Sequence, residues 1–139
     1  MNDDSPSAQI WFGGRARLHP LPHCTDARGT LLPIDYHRLP FLPQRSFVVT
    51  DVARGGTRGG HGHRTGQQLL ICIRGRIRVL LRVREEDAEV VLAQDGPGVL
   101  IGAGIWSEQT YLEEGAVLLV LASEPYDPDS YFHLHQDAT

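Results

Sequence analysis

Short runs of alternating apolar and polar residues, each closed by Gly, Pro or a charged turn, dominate this chain. The clearest is Ile77-Arg-Val-Leu-Leu-Arg-Val-Arg84, with Ile77, Val79, Leu81 and Val83 on one side and Arg78, Leu80, Arg82 and Arg84 on the other. A period of two predicts a strand half-buried against a core. The turn Glu85-Glu-Asp87 then predicts a hairpin into Glu89–Ala93. Further strands are expected at 9–12, 30–34, 46–51, 68–73, 99–101 and 116–121. Within the last of these, Val117-Leu-Leu-Val-Leu121 is apolar on both faces. Such a strand must be central and covered on each side, or must also face a subunit partner. No segment carries a 3.6-residue period. The pattern predicts an all-β, mostly antiparallel barrel or sandwich of two sheets.

The chain has 139 residues, 41% hydrophobic and 22% charged, enough for one core and too few for two comfortable ones. Residues 1–8 are expected to form a flexible N-terminus and 9–139 the barrel domain. A net charge of −4 with scattered basic residues argues against nucleic-acid binding. The opening Met1-Asn-Asp-Asp-Ser-Pro has neither the positive nor the apolar region of a secretory signal, and no apolar run reaches membrane-spanning length. A cytoplasmic protein with no membrane partner is expected. Cys24 and Cys72 imply no disulfide framework, and Cys72, inside an apolar strand, reads as a small core residue. All thirteen basic residues are Arg, which removes lysine Schiff-base chemistry and favours bidentate phosphate recognition.

Candidate chemistry concentrates in Arg58-Gly-Gly-His61-Gly-His63-Arg64, followed by Gln68. On an extended segment, two imidazoles two residues apart share one face and line one pocket wall. Such a pair suits either metal binding or proton transfer near neutral pH.

The spacing from Gly55 through His61, His63 and Gln68 to Gly75 resembles the first cupin motif. Gln68 stands where metal-binding cupins carry Glu. In the second-motif candidate, Gly98 to Ser107, Ala103 stands for the usual Pro and Ser107 for the usual His. Two neutral nitrogens hold a divalent metal weakly, and only His133 and His135 in the tail could supplement them. The residues therefore favour chemistry by the imidazoles themselves, with no metal and no organic cofactor. A wider set of motifs resembles the WxcM-like sugar 3,4-ketoisomerases. They are Asp26-Ala-Arg-Gly29, Leu39-Pro-Phe41 with Arg45, the histidine segment, Gly98 to Trp106, and Leu119 to Tyr131 with its Tyr-Asp…Tyr ending.

That resemblance implies a cupin/RmlC-like jelly-roll β-barrel and isomerisation of a dTDP-4-keto-6-deoxyhexose, a proton passing from C3 to C4 through an enediol. It implies His61 as the proton-shuttling base, with His63 orienting the sugar or relaying the hydroxyl proton. Arg28 and Arg45 would bind the pyrophosphate, assisted at the pocket rim by Arg58 and Arg64. Gln68 would point inward, while Trp106 and Ser107 are further substrate-contact candidates. Phe47 and Ser107 stand where the family usually has Tyr and His, so Tyr36, Tyr111 and Ser107 become candidates to replace the missing groups. The alternatives are a related sugar epimerase or a non-catalytic nucleotide-sugar-binding cupin. A homodimer is expected, with Trp11 packing across its interface. Tyr126, Asp127 and Tyr131 would seal the open end of the barrel.

Overall fold

The computed structural model describes residues 9–134; positions 1–8 and 135–139, with the expected flexible N-terminus and His135, lie outside them. Its described elements are strands and short 3-10 turns. One sheet has six strands in the order β1 (Ile10–Trp11), β2 (Ala16–His19), β10 (Gly98–Ile101), β7 (Gln68–Arg74), β12 (Val117–Ala122) and β5 (Arg45–Val49). The other has five: β13 (Tyr131–Phe132), β6 (Thr57–His63), β11 (Trp106–Tyr111), β8 (Arg76–Val83) and β9 (Glu86–Ala93). A separate hairpin joins β3 (Cys24–Asp26) to β4 (Gly29–Leu31). Every ladder in the two main sheets is antiparallel. This is the expected jelly roll.

The period-two residues of β8 behave as the sequence requires. Ile77, Val79 and Leu81 are fully buried between the sheets, where they meet Leu70 and Cys72 of β7 and Leu118 and Val120 of β12. Each such side chain contributes about 1.5–3 kcal/mol by leaving water. The double apolar character of β12 has its cause within the chain. Leu118 and Val120 face the inner core, while Leu119 and Leu121 join Leu69, Ile71 and Leu100 under Leu21, Leu32, Ile34, Leu39 and Phe41 of the N-terminal segment. Cys72 is a core residue, its thiol pushed up to about 11 by burial.

Several expectations change. The β8–β9 turn is the two-residue Arg84-Glu85, with Arg84 at φ 56°, and not Glu85–Asp87. Asp87 stays in the strand opposite Arg82, whose Nε donates to Asp87 Oδ1 at 2.6 Å. The strand expected at 30–34 shrinks to β4 because Leu32 and Ile34 leave to cover the outer sheet face. Trp11 is partly buried and packs against its own chain's core. β11 escaped the pattern because its core-facing row includes polar Ser107 and Gln109, both buried.

Candidate active site

The site begins with a break in β6. Gly59 and Gly60 adopt φ of 88° and 79°, and the pairing of β6 with β11 slips between Ser107 and Glu108. Side chains other than glycine are strained there, which explains the Gly-Gly preceding the histidines. After this bulge, His61 pairs with Ser107, and His61 and His63 project on one side as period two demands. Gly62 between them leaves no room for a side chain: a Cβ there would lie 2.6 Å from the Ile105 carbonyl oxygen and against the Phe132 ring.

At the same end of the facing sheet, Arg45, Ala122 and Gln68 form one row across β5, β12 and β7. Together with His63 and Tyr131 they line a narrow recess open to solvent, whose rim includes Glu124 and Tyr126. The Gln68 amide nitrogen lies 2.9 Å from His63 Nε2. An amide nitrogen can only donate, so His63 Nε2 accepts and its neutral ring carries the proton on Nδ1. Tyr131 lies over both histidines, its ring stacked on His61 at 4.4 Å and edge-on to His63 at 4.5 Å. The Arg45 guanidinium sits 4.7 Å from the Phe47 ring and 5.0 Å from that of Tyr126. Both contacts are cation–π in geometry and hold the charge at the recess wall.

Burial sets the protonation of both imidazoles. It lowers His61, with a smaller push from His133 and an opposing hydrogen bond involving Gly59. It lowers His63 to about 4, aided by His61 and Arg45 and opposed by Glu124. Both rings are thus neutral at pH 7, the state that a proton acceptor requires. Among the described residues, no group of three or more His, Cys, Asp or Glu side chains is placed to hold a metal ion.

The family model described as FdtA, WxcM-like, C-terminal, matches residues 15–137. The chain belongs to this family. A TDP-4-oxo-6-deoxy-alpha-D-glucose-3,4-oxoisomerase of Aneurinibacillus thermoaerophilus is 30% identical to this WxcM-like chain over 113 residues, 81% of each protein. The 3,4-ketoisomerase QdtA of Thermoanaerobacterium thermosaccharolyticum was solved as a histidine-to-asparagine mutant with TDP-4-keto-6-deoxyglucose. It superimposes with a TM-score of 0.83 at 33% identity, covering 88% of this chain and 90% of that one. A 3,4-ketoisomerase from Helicobacter canadensis gives 0.81 at 28% identity, covering 88% and 92%.

Not every residue singled out in this WxcM-like sequence reaches the recess. His63, Arg45 and Gln68 line it, while His61 is stacked on the lining residue Tyr131. Arg28 is 90% exposed in the β3–β4 hairpin and ion-paired to Asp26 at 2.7 Å. Arg58 is exposed on β6 before the bulge. Arg64 turns to the other side of the sheet, 5.7 Å from the Phe132 ring. Trp106 pairs with Gly62, one residue out of phase with the His61 row, and lies under Arg82 at 5.6 Å. Ser107 does lie beside His61 in the ladder, with its hydroxyl accepting from Gln109.

Of the candidates to replace the missing tyrosine, Tyr36 is exposed in a 3-10 turn and Tyr111 is sealed in the core. Two phenols line the recess, Tyr126 at the rim and, against both histidines, Tyr131, a residue expected to seal the open end of the barrel. A local signal for it exists in Asp127-Pro-Asp129. Asp127 accepts from the Asp129 backbone at 3.0 Å and caps a 3-10 turn, after which Tyr131 pairs with His63.

Proposed function

We propose that this protein is a dTDP-4-keto-6-deoxyhexose 3,4-ketoisomerase of deoxysugar biosynthesis, working by imidazole-mediated proton transfer. The observation that carries the reading is the pair of neutral, half-buried imidazoles beside a recess whose wall bears Arg45. A hydrogen next to a ketone is acidic enough for a neutral imidazole to remove once the developing oxyanion is hydrogen-bonded. His61 takes the C3 proton and returns it to C4. His63, fixed by Gln68, orients the sugar. We assign the pyrophosphate to Arg45, because stacking between two rings presents its guanidinium edge for bidentate contact. Arg28, Arg58 and Arg64 carry no part of this assignment, since within one chain they are paired or turned elsewhere. Ser107, beside His61, is a further sugar contact; Trp106 supports β11 from the opposite face.

The reading includes a homodimer. Its support is exposed apolar Ile10 and Val48 on the two edge strands of the six-stranded sheet, with Leu31 and Leu42 in the segments between. It also includes a cytoplasmic location, supported by two free cysteines. Incubation with dTDP-4-keto-6-deoxyglucose in deuterated buffer tests the activity. Keto migration with deuterium entering the sugar is expected, and His61→Asn should abolish both. Unchanged substrate with no C3 exchange would refute the isomerase. A retained 4-ketone with inverted C3 would identify an epimerase.

A further inference from the structure

Moving a carbonyl from C4 to C3 relocates two protons, one between carbons and one between oxygens. The carbon-bound proton must leave roughly perpendicular to the plane of the carbonyl, because the breaking C–H bond feeds the π system. The hydroxyl protons move near that plane. One base at one position does not serve both, so the reaction requires a second proton carrier approaching from another direction.

His63 is poorly suited to that task. Its Nε2 already accepts from Gln68, and burial makes the ring a weak base. Phe47 has no hydroxyl, Tyr36 is outside the recess, Tyr111 is inside the core, and Tyr126 lies at the rim with its ring against Tyr131 and Arg45. Tyr131 touches both imidazoles and lines the recess with Arg45 and Gln68. Pairing of β13 with β6 at His63 fixes its backbone, and Phe132, packed against Gly62, anchors the next position.

We propose that Tyr131 is the hydroxyl-proton relay, carrying a proton between O4 and O3 while His61 carries the carbon-bound one. The assignment rests on the ketoisomerase reading. In the first half-reaction, His61 removes the C3 proton and that bond pair forms C3=C4. The C4=O π pair moves onto O4, which takes the phenolic proton of Tyr131. In the second half, O3–H returns a proton to the phenolate and its bond pair forms C3=O. The C3=C4 pair takes the imidazolium proton at C4. Both side chains end neutral, and no other reagent is consumed.

Tyr131→Phe keeps the ring stack and removes only the hydroxyl. The full-length variant is incubated with dTDP-4-keto-6-deoxyglucose in D2O, and proton NMR follows both C3 exchange and 3-keto product. Loss of an acid–base group predicts product formation slower by about a hundredfold or more. Exchange is expected to fall by less than about tenfold, since it can run through the O4 enolate without the enediol, whereas product requires the proton on O3 to reach O4. The exchange-to-turnover ratio therefore rises at least about tenfold, while His63→Gln leaves it near the wild-type value. An unchanged ratio in Tyr131→Phe overturns the assignment, whether both rates persist or fall together. So does a raised ratio in His63→Gln alone. Wild-type protein showing neither exchange nor product removes the ketoisomerase reading itself, and the relay with it.

Discussion

Replacing Gln68 with Glu changes one atom's chemistry 2.9 Å from His63 Nε2 and should reset that histidine. In the native protein the amide donates to a neutral ring, while burial, His61 and Arg45 all oppose protonation and hold His63 at about 4. A carboxylate at the same place reverses the sign of the local interaction. Two unit charges about 4 Å apart attract by about 4 kcal/mol at an effective dielectric near 20. Solvent reaching a half-buried ring reduces this to about 2–3 kcal/mol, which at 1.36 kcal/mol per pKa unit raises His63 by about 2 units, to about 6.

Titration of the imidazole Cε1 protons from pH 3 to 8, with His63→Gln for assignment, reads the shift directly. The acid limb of kcat/KM should move upward with it if a neutral His63 is required. Stability supplies a second readout. Native His63 titrates below its unfolded value, so the unfolded chain takes up the proton first. Stability is therefore lost as pH falls from about 6.5 to about 4, by about 1–2 kcal/mol after allowance for solvent. In the Gln68→Glu variant, most of that loss should vanish. A His63 midpoint remaining within half a unit of the native value would refute the electrostatic account, and a native midpoint near 6.5 would refute its starting point.

Two further substitutions test the frame around the site. Gly62→Ala places a methyl group 2.6 Å from a carbonyl oxygen and against Phe132, so urea denaturation should show a loss of about 1–3 kcal/mol with unchanged m. A change within 0.5 kcal/mol would show that β13 yields easily. Tyr111→Phe removes a buried hydroxyl that has no partner among the described residues, so stability should be unchanged or rise by up to about 1 kcal/mol. A loss of more than 1 kcal/mol on thermal unfolding would mean that the hydroxyl is satisfied.

What the sequence disclosed follows the physics of each element. β8 was legible because one face is uniformly apolar and the other charged, and the His61–His63 pair because period two leaves no other arrangement on an extended chain. β11 was not legible. Its inner row runs Ser107, Gln109, Tyr111, and a polar interior has no hydrophobic period to announce it. Arg45 and Arg64 look alike in sequence, yet the strand pleat sends one into the recess and the other onto Phe132. Tyr131 was hidden for a different reason. The turn before it is announced by Asp127-Pro-Asp129, but its place at the site depends on β13 pairing with a strand far back in the chain.

Gln68, where metal-binding cupins carry Glu, and Phe47, where the family resemblance leads one to expect Tyr, make sense together with Tyr131. A glutamate at position 68 would favour a charged His63, whereas Gln68 is compatible with the neutral ring that burial already enforces. Phe47 offers no proton, but its face supports the Arg45 guanidinium at 4.7 Å, and that charge in turn keeps His63 deprotonated. The ring at position 47 thus leaves in place the same electrostatic state that the amide at 68 preserves. Of the phenols at the recess, Tyr131 is the one whose ring meets both imidazoles. Placing Tyr at position 47 should therefore not rescue Tyr131→Phe, because the ring at 47 packs under Arg45 whereas the ring of Tyr131 meets both imidazoles.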